Sequence, residues 1–219
     1  MKLKIKVCGI RRLLDVLMVE CRGVDLLGFI NVERSQRFVD KNLIKLLTSQ
    51  MDDSDKAVMI MEPDNPDEVI KMAKICGINK LQLHSLSPSD INHIKNVSEL
   101  EVTRAVGVGE KISKDKMGEI KAFAEVCDSL LLDYEMNGKI GGTGVQIPLT
   151  TAIEGAEIAK NSADIDIFLA GGINARIMKE EKQLISKYFQ GVDVNSGVEE
   201  SPGVKDLAKL EEFMAIVNN

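Results

Sequence analysis

The chain has 219 residues, 44% of them hydrophobic, which is enough apolar material for a sizeable core in one large domain or two small ones. A formal net charge of −6 argues against a nucleic-acid or anionic-membrane surface, and no apolar run approaches the ~20 residues that span a bilayer. Four well-separated cysteines, Cys8, Cys21, Cys76 and Cys127, show no CxxC or zinc spacing, so a reduced, cytoplasmic protein is expected.

In chain order, the opening residues alternate charge with apolar side chains, which predicts a strand over 3–8 and not a signal peptide. A helical pattern follows at 12–22, then a strand at 24–30. That strand, like the later one at 129–133, is a nearly continuous apolar run, as suits a parallel strand covered on both faces. Further strands are predicted at 56–61, 79–84, 101–106, 165–170 and 191–194, with helices at 40–50, 66–76, 88–96, 114–127, 149–161, 174–188 and 204–217. Asn65-Pro66-Asp67-Glu68 is a good helix start, with a capping Asn, Pro at the first position and acids in the first turn. Eight strand–helix units averaging roughly 27 residues fit a (β/α)8 barrel, also called a TIM barrel, at the short end of its size range. A doubly wound open sheet also alternates strands and helices, but the count of eight and the lack of a GxGxxG turn after the first strand favour the barrel. With no linker or low-complexity tract, residues 1–219 read as a single domain.

In a barrel, the C-terminal strand ends face a common active site. Those ends carry Cys8, the loop Arg34-Ser35-Gln36-Arg37, Glu62, Gln82 and His84, Asp133, Gly171-Gly172, and Asp193 through Gly197. Cys8 reads either as a small buried hydrophobe or as a general base, and as a base its thiolate needs cationic help that the sequence does not identify. Asp133, at the end of a leucine run, is a cap or a proton donor, since burial there would raise its pKa. Asp193 carries the same ambiguity. His84 is either a packed strand-end residue or a ligand contact, and Arg37 is either solvated surface or an anion contact. The loops around Gly171-Gly172 and Asn195-Ser196-Gly197 follow strands seven and eight, where barrels often bind phosphate, although glycines there also serve as plain turn residues. The Gly141-Gly142-Thr143-Gly144 run reads as a weaker phosphate loop or a lid. No His or Cys grouping is spaced for a metal, so none is expected.

Taken together, Lys6-Val7-Cys8-Gly9-Ile10, Leu27-Gly28-Phe29-Ile30, Ser35-Gln36-Arg37, Leu81-Gln82-Leu83-His84, Leu131-Leu132-Asp133, Gly141-Gly142-Thr143-Gly144 and Ala170-Gly171-Gly172-Ile173-Asn174 resemble the phosphoribosylanthranilate isomerase family. The run from Val192 to Glu199 followed by Pro202-Gly203-Val204-Lys205-Asp206 is the most specific block, and the blocks cover essentially the whole chain in the family's order. The resemblance implies a cofactor-free isomerase of tryptophan biosynthesis, acting on a phosphorylated aminosugar as a monomer or homodimer. It implies Cys8 as general base, Asp133 as general acid and Arg37 at the anthranilate carboxylate. It further implies Asp193 near the anthranilate amine and Gln82, His84 and Gly142 among the substrate contacts. Gly171, Gly172, Asn195, Ser196 and Gly197 would hold the phosphate. The sequence departs from the family pattern at Arg11 (usually Thr), Ser85 (usually Gly) and Asn195 (usually Ser). Val145 to Pro148 also lacks the family's usual aromatics. Other phosphate-binding barrels fit less well. An indole-glycerol-phosphate synthase needs a catalytic lysine at an early strand end, whereas Lys4 and Lys6 lie upstream of one. An epimerase needs several metal-binding histidines, and only His84 and His93 exist. A barrel kept as a non-catalytic phosphometabolite sensor is opposed by the presence of both Cys8 and Asp133.

Overall fold

The structure, a computed structural model, describes residues 2–136, 139–140 and 147–218. Eight parallel strands form its centre: β1 (Lys4–Cys8), β2 (Leu26–Asn31), β3 (Ala57–Met61), β4 (Lys80–Leu83), β5 (Glu101–Val108), β6 (Ser129–Met136), β7 (Asp166–Leu169) and β8 (Gly191–Val194). Each pairs with the next, and β8 returns to β1 with Lys4 opposite Gly191 and Lys6 opposite Asp193. The sheet is therefore a closed barrel.

Side chains alternate across each strand, so every strand has an outer and an inner set. Ile5 and Val7 of β1, Leu27 and Phe29 of β2, Met59 and Met61 of β3, and Leu130 and Leu132 of β6 join the large apolar layer between barrel and helices. Burying each such side chain stabilises the fold by about 1.5–3 kcal/mol. Inside the barrel, Leu26, Ala105, Leu131 and Phe168 form a smaller apolar cluster. Gly191 makes room for the Phe168 ring, since a Cβ there would lie 2.3 Å from it. This plug fills the lower barrel and leaves the C-terminal end open.

Eight α-helices surround the barrel: α1 (Leu13–Glu20), α2 (Lys41–Thr48), α3 (Pro66–Cys76), α4 (Pro88–Val97), α5 (Lys114–Ala124), α6 (Leu149–Lys160), α7 (Ala175–Tyr188) and α8 (Leu207–Asn218). Their starts are set locally. Asn65 caps α3 through the Glu68 amide, and Ser87 and Asp90 form a reciprocal capping box on α4. The last helix begins at Leu207 and not at the expected 204, because Val204–Lys205 pairs antiparallel with Glu199–Ser201. Strands β5 and β6 also run further than the sequence pattern indicates, the end of β6 pairing antiparallel with Lys139–Ile140. Among the described residues, no helix is long and apolar enough to cross a membrane.

Candidate active site

A cavity of about 430 Å³ opens at the C-terminal ends of the strands. It gathers Cys8, Arg37, Gln82, His84, Asp133, Gly171, Gly172, Asp193, Asn195 and Ser196 from widely separated parts of the chain. Gly197 is not on its wall. It sits behind the loop, where a Cβ would lie 2.1 Å from the Ile173 carbonyl oxygen, so only glycine lets the two phosphate-candidate loops meet. Gly142 and the rest of its loop lie outside the described residues.

Cys8 ends β1 and points inward. Its sulfur lies over Gly28 of the neighbouring strand, where a Cβ would come within 2.9 Å of it. Burial pushes the thiol pKa up, Lys6 and Lys205 pull it down, and Asp193 opposes them. Asp133 stands on β6, separated from β1 by β7 and β8, so the two groups occupy facing walls of one cavity. Burial raises the Asp133 pKa to about 6, even though its Oδ1 accepts a 2.7 Å hydrogen bond from the Tyr134 amide. Such a carboxyl keeps an appreciable acid fraction near neutral pH.

Under the cavity floor lies a polar chain that the sequence reading did not anticipate. The buried Lys6 ammonium donates to Gln82 Oε1 at 2.8 Å and to Asp193 Oδ2 at 3.0 Å. Burial alone would lower the Lys6 pKa, but Asp193 and Cys8 outweigh it and hold the ammonium charged. Asp193 Oδ1 is buried with no hydrogen-bond partner among the described residues. An acceptor left open in this way at a cavity wall invites a donor from a ligand. Lysine only donates, so Gln82 must turn its oxygen to Lys6 and its amide nitrogen to His84 Nε2, 3.0 Å away. Burial, with Arg104 and Lys6 nearby, lowers the His84 pKa to about 4. The neutral ring accepts from Gln82 at Nε2 and therefore carries its proton on Nδ1. The missed signal was simple: Lys6 and Cys8 are two residues apart on one strand and so share its inner face.

A second buried network lies under the loops. Arg37 donates to Glu199 through Nε at 2.9 Å and Nη2 at 2.6 Å, and Lys205 donates to the same carboxylate at 3.0 Å. Burial opposes the Glu199 charge, but Arg37 and Lys205 outweigh it and lower its pKa. Lys205 also donates to the Asn195 side-chain oxygen at 3.1 Å. Two cations against one carboxylate leave this corner positive, a favourable setting for an anionic ligand. Gly9, at φ +78°, lets the backbone pass between Arg37 and Asn195, since a Cβ there would meet both side chains within 2.7 Å. Glu199 and Lys205 belong to the C-terminal block noted in the sequence, but nothing in their spacing revealed what they hold.

Gly171 and Gly172 follow β7 with φ of +83° and +66°, and their amides donate to no other described residue. Successive left-handed glycines of this kind expose N–H groups to an anion. At the rim, Arg34 is paired with Glu62 through two hydrogen bonds of 2.8 and 3.0 Å, so neither is a free charge. Arg104, also unanticipated, donates to the Leu83 and Ser85 carbonyls and lies over the Phe123 ring, bracing the loop that follows His84. Among the described residues, no group of three His, Cys, Asp or Glu is arranged to hold a metal.

Comparison with known proteins agrees with this architecture. The protein is 34% identical over 220 residues to the N-(5'-phosphoribosyl)anthranilate isomerase of Methanothermobacter marburgensis, covering 97% of this chain and 93% of that one. Its fold is similar to the phosphoribosyl anthranilate isomerase of Thermus thermophilus, with TM-score 0.81, 24% identity and coverage of 99% and 98% of the two chains. It is also similar to a phosphoribosyl anthranilate isomerase solved with reduced 1-(o-carboxyphenylamino)-1-deoxyribulose 5-phosphate, with TM-score 0.79, 22% identity and coverage of 99% and 98%. The family model for N-(5'-phosphoribosyl)anthranilate (PRA) isomerase matches residues 5–216, so this closed barrel, with its thiol and carboxyl across one cavity, belongs to the PRA isomerase family.

Proposed function

We propose that the protein converts N-(5-phosphoribosyl)anthranilate to 1-(2-carboxyphenylamino)-1-deoxyribulose 5-phosphate, with Asp133 as general acid and Cys8 as general base. The observation that carries this reading is the pairing, in one cavity, of a carboxyl whose pKa burial raises to about 6 with a buried thiol on the facing wall.

Asp133 gives its proton to the furanose ring oxygen, the C1–O bond breaks, and the ring opens to a Schiff base on the anthranilate nitrogen. Cys8 as thiolate takes the C2 proton, leaving an enolamine that tautomerises to the ketone. One proton enters and one leaves, so the product is an isomer of the substrate and the chemistry requires no cofactor. Asp193 Oδ1, the open acceptor, is suited to the anthranilate N–H. Arg37 meets the anthranilate carboxylate with the guanidinium edge that Glu199 leaves free, since Nε and Nη2 are already engaged. The phosphate takes the amides of Gly171 and Gly172 and the loop Asn195-Ser196-Gly197. His84 Nδ1–H and Gln82 complete the polar wall, and Ile30, Val32 and Ile60 supply apolar surface. The same reading puts the protein in the cytoplasm, where its four free cysteines stay reduced.

Freshly prepared substrate, incubated with the protein in the presence of a chelator and followed by NMR, should lose its ring-form sugar signals and gain those of an open-chain ketone. A folded sample that leaves the substrate unchanged contradicts the proposal.

A further inference from the structure

A thiol that is to act as a base must shed its proton, and the burial of Cys8 opposes this. The charged and titratable groups that act on Cys8 and Lys6 are Lys205, Arg37, Asp193, Asp133 and His84. Lys205 and Arg37 are both engaged with the Glu199 carboxylate. Lys6 is placed differently. It shares the inner face of β1 with Cys8, is almost completely buried, and spends two of its three N–H donors on Gln82 and Asp193. Cys8 is the next residue on the same inner face of β1, and its thiol is a charge neighbour of the ammonium.

We infer that Lys6 is a positioning residue of the isomerase: its ammonium, beneath the cavity floor, supplies the positive charge against which Cys8 becomes a thiolate and holds Asp193 ionised with one oxygen turned toward the substrate. The role rests on the isomerase reading and deepens it. Lys6 touches no reacting atom. It acts through Cys8 and Asp193, and through Gln82 it also sets the tautomer of His84. Asp193 itself pushes the thiol pKa up, so a lysine present only to neutralise Asp193 would leave the thiol's ionisation no lower once both charges are removed together. Lys6→Gln removes the positive charge but leaves Asp193 unopposed, so Lys6→Gln/Asp193→Asn makes that separation.

The test is iodoacetamide labelling of the full-length protein without substrate at several pH values, with each cysteine's peptide quantified by mass spectrometry. Exposed Cys21 serves as the internal reference. In Lys6→Gln the Cys8 labelling rate at pH 8 should fall about tenfold, equivalent to roughly one pKa unit, while Cys21 is unchanged. The catalytic rate should fall in parallel with little change in KM. A wild-type pH dependence of Cys8 labelling in folded Lys6→Gln overturns the role. Lys6→Gln/Asp193→Asn removes both charges, also serves if the stranded Asp193 charge keeps the single variant from folding, and should show a smaller slowing in the same direction. An unchanged or faster Cys8 reaction there also overturns it. The labelling needs no turnover, so a protein that shows the slowing yet fails to isomerise refutes the isomerase reading instead.

Discussion

On the proposed reading, Asp133 is where function and stability pull against each other. A carboxyl whose pKa burial raises to about 6 from 3.8 contributes stability that is fully present below the unfolded value and lost as pH rises through 6. At neutral pH its ionisation therefore costs the fold up to about 3 kcal/mol. Asp133→Asn, which still accepts from the Tyr134 amide, should unfold at higher denaturant at pH 7.5 than the parent protein, with the advantage gone at pH 4. A variant less stable than the parent at pH 7.5 would mean that the carboxylate is better solvated than its burial indicates. Gly28→Ala tests the placement of Cys8 in the same way. The new methyl would press on the sulfur from 2.9 Å and on the Cys8 backbone from 3.1 Å, so the catalytic rate should drop at least about tenfold while the fold persists. An unchanged rate would show that the thiol's position is not critical. Cys8 and Asp133 were legible because strand ends in a barrel converge. Lys6 was not, because a lysine near a chain's start reads as solvent-facing until closure of the barrel puts β1 beside β8.

At the scale of elements, the loops after β7 and β8 act as one unit. Gly197 lets the Ile173 carbonyl approach, and Glu199 and Lys205 tie Arg37 to Asn195. Glu199→Gln leaves one acceptor for a fork that engages two and strands part of the Lys205 charge. It should raise KM about tenfold, roughly 1.4 kcal/mol, with the catalytic rate largely kept. A lowered rate at unchanged KM would contradict the anchoring role of this network. All eight strands and helices could be placed from hydrophobic periodicity and from a cap such as Asn65, because those signals are local. The antiparallel pairing of Glu199–Ser201 with Val204–Lys205 was not legible. Two short segments around a Pro-Gly turn give too little periodicity, so the last helix was expected three residues early.

At the scale of the whole molecule, the barrel separates its tasks by depth. The apolar plug around Leu131 and Phe168 closes the bottom, the Lys6 chain lies in the middle, and the cavity opens above. The Lys6 chain brings a buried charge to the level where it acts on Cys8, Asp133 and Asp193, while the surrounding helix layer is largely apolar and supplies stability. The central claim is the division of labour between Cys8 and Asp133, and steady-state kinetics of Cys8→Ser and Asp133→Asn with the phosphoribosyl aminosugar test it most directly. Each variant should lose at least about 100-fold in catalytic rate, with KM within a few-fold of the parent, because each removes a proton transfer and not a binding contact. A folded variant of either kind that turns over at near the parent rate would contradict the claim.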